Sequence, residues 1–238
     1  MPNESSSESM ISVRRRLLSA ALPDVAFDGW CEDVFSGAVE KCELDPLIAR
    51  AACPRGHLDL AVAFHREGDD DMCRILNERD HSHLRYSEKV AAAVVTRLEA
   101  VEHNKDAVRK GIALFSLPHL APEGTRLLWG TADRIWSSLG DRSDDINWYS
   151  KRAILASVYA SALLIWIRDF SESHSETAAF VDRRIGDVMR FESAKTKFRS
   201  SRVGSYFQET ACARFFESVK APRSSADDLP GRMKENSP

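Results

Sequence analysis

Arg152-Ala-Ile-Leu-Ala-Ser-Val-Tyr-Ala-Ser-Ala-Leu-Leu-Ile-Trp-Ile-Arg168 is the longest apolar stretch of this 238-residue chain, and its length decides what the rest can be. Only Ser157 and Ser161 interrupt the run between the two arginines. As a helix, Ala153 to Ile167 spans roughly 22 Å at ~1.5 Å per residue, short of the ~30 Å hydrocarbon core of a bilayer. A helix apolar on nearly every side and too short to cross a membrane belongs in the middle of a helical protein. The expected fold class is therefore all-α, provided the flanking sequence is helical too.

It is. Upstream, Ser143 or Asp144 caps the apolar helix, and Pro122 starts a helix bearing Leu128, Ile135, Trp136 and Leu139. Asn104 caps another that ends at Pro118. Leu84, Ser87, Ala91, Val94, Val95 and Leu98 share one face at 3.6-residue spacing. A further helix carries Leu58, Val62, His65, Met72, Ile75 and Leu76, with Gly68 a candidate bend, and Pro54-Arg55-Gly56 is a turn. Before it, three short helices are expected: one ending at Pro23, one capped by Asp28, and one opened by Asp45-Pro46. Downstream, a helix begins near Glu176. Three short helices followed by longer ones around an apolar centre describe a helix-turn-helix-like head on a helical ligand-binding body. The expected boundaries are a disordered tail over 1–10, the head over 11–56 and the body over 57–200. An amphipathic helix over 201–220 and a disordered tail over 221–238 complete the division.

Composition narrows the function classes. A net charge of −3 gives no whole-molecule attraction to nucleic acid or to an anionic surface. The five cysteines form no C-x-x-C pair, so free thiols are expected, with neither disulfide nor zinc site. His81-x-His83 beside Asp80 is the only tight histidine cluster, and it falls in a polar junction; no metal and no cofactor is expected. No nucleophile elbow, phosphate-binding loop or dinucleotide fingerprint is present, so no catalytic residues are assigned and the chain reads as a non-enzyme. Asp69-Asp70-Asp71 reads as a solvated helix face. MPNESSSESM is acidic and serine-rich, unlike a secretion signal or a mitochondrial transit peptide.

Beyond residue 190 the pattern changes. Arg190, Lys195, Lys197, Arg199 and Arg202 face a single acid, Glu192, and are followed by Tyr206, Phe207, Phe215 and Phe216. Aromatics beside a basic run suit an interfacial helix on an anionic membrane, at ~1 kcal/mol per basic residue near the surface. The competing reading is a helix that packs on a dimer.

Several segments resemble the accessory lipid-binding protein family of coenzyme Q (ubiquinone) biosynthesis, found in mitochondria and alphaproteobacteria. They are Ala21-Leu-Pro-Asp-Val-Ala-Phe-Asp-Gly-Trp30, Arg50-Ala-Ala-Cys-Pro-Arg-Gly56, Asp133-Arg-Ile-Trp136 and Phe180-Val-Asp-Arg-Arg-Ile185. The most specific is Gly140-Asp141-Arg-Ser-Asp-Asp145-Ile-Asn-Trp-Tyr-Ser-Lys-Arg152. The resemblance covers about residues 17–191.

It implies a tetracycline-repressor-like fold, a homodimer, and a hydrophobic pocket for an isoprenoid quinone intermediate or phospholipid. It also implies a patch that docks the demethoxyubiquinone hydroxylase at the membrane. On that reading Leu114, Trp129, Ile135, Tyr159, Leu163, Trp166 and Met189 are the candidate lipid-lining residues. Asp145, Trp148, Tyr149 and Arg152 are the candidate partner-binding residues, with the alternative that the aromatic pair is a core lid. Lys195, Lys197, Arg199, Arg202, Tyr206, Phe207, Phe215 and Phe216 are the candidate membrane residues. The expected location is bacterial cytoplasm with peripheral attachment to the inner membrane, or the matrix side of mitochondria for a processed eukaryotic chain.

The rival reading is a tetracycline-repressor-type DNA-binding regulator. Residues 11–54 hold five basic and seven acidic side chains, poor material for a phosphate backbone. Only Arg14-Arg15-Arg16 speaks for it.

Overall fold

The computed structural model describes residues 4–141 and 146–199, with side-chain surroundings for 10–141, 148–188 and 190. Among the described residues every regular element is helical: α1 (Glu4–Asp28), α2 (Glu32–Lys41), α3 (Pro46–Ala52), α4 (His57–Glu78) and α5 (Tyr86–Glu99), then α6 (Lys105–Phe115), α7 (Ala121–Ser138), α8 (Ile146–Trp166) and α9 (Ser175–Arg199). Short 3-10 turns precede α6 and α9.

The first helix departs from expectation at both ends. It begins at Glu4, inside the stretch 1–10 expected to be a disordered tail, and it runs through Pro23 to Asp28. A proline removes one helical hydrogen bond and crowds the preceding turn. Here tertiary packing outweighs that cost, because Leu17, Leu18, Ala21 and Val25 are fully buried against α2, α3, α4 and α6. Asp28 ends α1 and does not cap α2; Gly29, at φ +81°, makes the break, and α2 starts after Cys31 without a side-chain cap. Asp45 does cap α3, its carboxylate accepting from the Leu47 N–H at 2.7 Å.

The longer helices form one continuous core with the first three. α8 packs on α7 and α9, α4 on α5 and α7, and α5 on α9. α8 buries Leu155, Val158, Tyr159, Ala162 and Trp166, yet Ala153, Ser157, Ser161 and Leu164 lie exposed along one stripe. The expectation of a helix buried on all sides therefore fails on that face. Its serines turn inward on their own helix, Ser157 Oγ donating to Ile154 O and Ser161 Oγ to Ser157 O. Among the described residues no helix is long and apolar enough to cross a membrane.

The basic groups of the head serve the fold. Arg14 donates twice to Ala52 O, at 3.0 and 2.6 Å, and Arg16 donates to Cys42 O at 3.1 Å. Arg50 pairs with Glu32 and lies over the Phe35 ring. Arg15 reaches Glu67 on α4 at 3.5 Å. The triple arginine thus ties α1 to its neighbours.

Candidate functional site

A cavity of about 350 Å³ opens between α4, α5, α6, α7 and α8. Small-molecule sites run from ~300 to ~1,000 Å³, so this one sits near the lower end. Its walls are apolar: Phe64 from α4, Ile112 and Phe115 from α6, Leu127 and Leu128 from α7, and Leu163 from α8. Trp30, at the junction of α1 and α2, closes one side, its indole N–H donating to Ala107 O at 3.1 Å and its ring 5.6 Å from that of Phe64. Leu164, 59% exposed, stands at the open rim with Ser116 and Thr125.

The opposite end is polar and closed. Arg97 (2% exposed) and Asp69 (3% exposed) meet there, Arg97 Nε donating to Asp69 Oδ1 at 2.6 Å and Nη2 to His65 O at 2.9 Å. Thr131 donates its hydroxyl to the same Asp69 oxygen at 2.9 Å. With that proton committed, the His65 Nε2 atom, 2.9 Å from Thr131 Oγ1, is the donor of its pair. Burial, followed by the charge of Arg97, lowers the His65 pKa to about 4, so the imidazole is neutral near pH 7. Arg97 also lies over the Tyr159 ring, 5.8 Å from its centroid, and burial pushes the Tyr159 phenol up to about 12. The remaining guanidinium nitrogen, Arg97 Nη1, is buried without a hydrogen-bond partner. An unmet buried donor costs ~1–3 kcal/mol. Gly68 makes the approach possible: a Cβ there would fall 2.7 Å from Arg97 Nη1.

Of the candidate lipid-lining residues, Tyr159 and Leu163 line this cavity. Leu114 is half-buried against the core on α6, and Ile135 is fully buried between helices. Trp166 is buried with Lys105 Nζ 4.8 Å from its ring centroid. Trp129 joins the aromatic group described next. Met189 belongs to α9, but its side chain lies outside the described residues. The reading of Asp69 as part of a solvated face is corrected: its neighbour Asp70 is exposed and Asp71 half-buried, while Asp69 turns inward to Arg97. The signal for this polar end was an arginine between Val94 and Leu98 on the apolar face of α5, opposite a histidine on the apolar face of α4.

A second constellation lies where α7 meets the start of α8. Trp129, Trp148 and Tyr149 form a ring cluster, with centroids 4.8 Å apart for Trp148 and Tyr149 and 6.0 Å for Trp129 and Trp148. All three are part-exposed. Arg152 is 3% exposed and supports the cluster from beneath. Its Nε donates to Asp133 at 2.5 Å, its Nη1 reaches Asp141 at 3.4 Å and Trp148 O at 3.2 Å, and its guanidinium stacks 3.9 Å from the Trp148 centroid. Asp145 lies outside the described residues. So do Arg202, Tyr206, Phe207, Phe215 and Phe216; Lys195, Lys197 and Arg199 fall in α9, with their side chains undescribed.

Both constellations fall within or against a recognised segment. Residues 121–192, spanning α7, α8 and most of α9, match the COQ9 family model. The "Ubiquinone biosynthesis protein COQ9, mitochondrial" of Homo sapiens is 27% identical over 201 residues, covering 82% of this chain and 63% of that protein. The "Probable ubiquinone biosynthesis protein coq9, mitochondrial" of Dictyostelium discoideum is 27% identical over 181 residues, covering 74% and 59%. The chain thus spans about three fifths of the length of these curated relatives. A TetR transcriptional regulator from Nitrosomonas europaea shares the fold, with a TM-score of 0.59 at 18% identity over 73% of this chain and 95% of that one.

Proposed function

We propose that this chain, which carries a COQ9 domain on a TetR-like frame, is a lipid-binding accessory protein of ubiquinone biosynthesis and performs no chemistry itself. The observation that carries the reading is the apolar cavity, open at Leu164 and closed at Arg97, walled in part by the COQ9 segment. It takes an isoprenoid quinone intermediate or a phospholipid, whose apolar part gains ~0.8 kcal/mol per CH₂ buried. At ~30 Å³ per water-sized group the cavity holds on the order of a dozen heavy atoms. A long tail therefore leaves through the rim.

Residues 11–56 form the head of this protein and 57–200 its lipid-binding body. The Trp129, Trp148 and Tyr149 cluster is the docking patch for the demethoxyubiquinone hydroxylase, with Trp148 pre-set by Arg152. The exposed α8 stripe, small at Ala153, Ser157 and Ser161, suits close approach of a second copy. The basic, aromatic segment after residue 190 attaches the protein peripherally to a membrane, at the bacterial inner membrane or on the matrix side of mitochondria. The DNA-binding alternative is disfavoured because the head's arginines are engaged within the fold.

Mass spectrometry of lipids extracted from the natively purified protein is expected to find prenylated quinone intermediates or phospholipid at near-stoichiometric amount. Recovery of buffer components alone would contradict the reading. Trp148→Ala is expected to weaken capture of the hydroxylase roughly tenfold or more, as for a central aromatic anchor, without changing lipid content. Undiminished capture would remove the patch from the interface.

A further inference from the structure

A separate groove, of about 340 Å³, lies between α4 and α7. Arg66 from α4 and Arg126 and Arg134 from α7 stand exposed around it, and Leu127 and Gly130 line it between them. Gly130 keeps the groove open. A Cβ there would meet nothing within 4 Å, so space lies above the helix between Arg126 and Arg134, each one turn away.

The charges around this groove do not cancel within it. Its two acids are engaged elsewhere: Asp69 turns inward to Arg97 at 2.6 Å, and Glu123 accepts from both terminal nitrogens of Arg55, at 2.8 and 2.9 Å. Arg134 pairs with Asp70 across the two helices. Among the described residues no hydrogen bond or ion pair engages Arg66 or Arg126. Two guanidinium groups on facing helices are thus left with their donors pointing to solvent. A guanidinium fork matches a carboxylate better than any other side chain does.

The groove adjoins the aromatic cluster. Arg126, Trp129, Gly130, Asp133 and Arg134 recur at i, i+3, i+4, i+7 and i+8, which puts all five on one face of α7. Asp133 holds the arginine that stacks on Trp148, so groove and cluster are parts of one surface. Area requires a partner seated on the cluster to reach further. A stable interface buries roughly 800 Å² per side. Three aromatic side chains buried whole supply roughly 450–750 Å², and these three are already part-buried. The groove is the neighbouring concavity, and its two unpaired cations set the chemistry of what fills it.

We infer that the groove between α4 and α7 receives an acidic segment of the protein that docks on the Trp129, Trp148 and Tyr149 cluster, with carboxylates on Arg66 and Arg126. This rests on the docking reading above and adds a second, electrostatic half to that surface. The aromatic rings anchor the complex, and the arginines steer its formation and fix its register. At ~30 Å³ per water-sized group the groove holds on the order of a dozen heavy atoms, enough for two or three acidic side chains.

Association and dissociation rates of the full-length chain on immobilised demethoxyubiquinone hydroxylase, measured from about 50 to about 500 mM salt, test this. Arg66→Gln/Arg126→Gln is expected to slow association about fivefold or more at low salt, with the gap closing to within about twofold at high salt. Arg66→Lys/Arg126→Lys is expected to keep most of the association rate. Gly130→Leu, which fills the groove without changing its charge and favours the helix, is expected to speed dissociation about threefold or more. Trp148→Ala acts on dissociation and leaves the salt dependence unchanged. If both groove variants bind as the wild type does while Trp148→Ala is weakened, the groove lies outside the interface and the docking reading stands. If Trp148→Ala also binds normally, or the wild type is not captured at all, both fall. Co-sedimentation with phosphatidylcholine–phosphatidylglycerol vesicles is expected to be unaffected by the glutamine pair. Loss of vesicle binding with hydroxylase capture intact would overturn the inference in favour of a lipid surface.

Discussion

Replacing Arg97 by methionine is expected to lower the folding free energy by about 3–5 kcal/mol, because it strands Asp69 as an unpaired charge in the core. For a folded region of this size, each kcal/mol corresponds to roughly 2–4 °C in melting temperature, so a fall on the order of 10 °C follows. Methionine matches much of the arginine stem, so the loss is electrostatic and not a packing void. The double variant Asp69→Leu/Arg97→Met separates the two effects. It removes the charge with its partner, Thr131 keeps an acceptor in Leu127 O at 3.2 Å, and only the His65 carbonyl loses its donor. Its stability is expected within about 1–2 kcal/mol of the wild type. Thermal unfolding of the three proteins checks this. A single variant as stable as the wild type would show that Asp69 is not held by Arg97.

The second large effect is a dependence on pH. His65 has a folded pKa lowered to about 4 from its ordinary 6.5 by burial, so between those values the unfolded chain binds a proton that the folded chain does not. Stability is then complete above pH 6.5 and is lost as the pH falls through 6.5 toward 4, at ~1.36 kcal/mol per pH unit. By pH 4.5 the loss from this group amounts to about 2.5 kcal/mol. In His65→Gln, which keeps a neutral amide donor for Thr131, that part of the slope disappears. The difference between the two denaturation-versus-pH curves isolates His65 from the carboxylates. Parallel curves over pH 7 to 4.5 would show that His65 titrates normally.

Both effects come from side chains that pattern-reading treats poorly. Asp69 sits in a run of three aspartates, and composition favours solvating all three. The helix turns Asp70 and Asp71 outward and Asp69 inward, and whether the inward one is tolerated depends on what α5 presents across the gap. The aromatic group tells the opposite story. Trp148 and Tyr149 were conspicuous in the chain, but the burial of Arg152 beneath them depends on Asp133 and Asp141, brought there from α7 and the turn after it.

By itself the sequence determined the helical class, most helix starts, and the central place of residues 153–167, because these rest on local periodicity and on caps such as Asp45-Pro46. Only the tertiary structure decided that α1 continues through Pro23, since burial of Val25 and Ala21 outweighs a local penalty. It alone decided that α8 keeps one face open, and that the apolar residues enclose a cavity closed by Arg97. A hydrophobic pattern specifies which side chains leave water; whether they meet each other or leave a space depends on how helices distant in the chain approach.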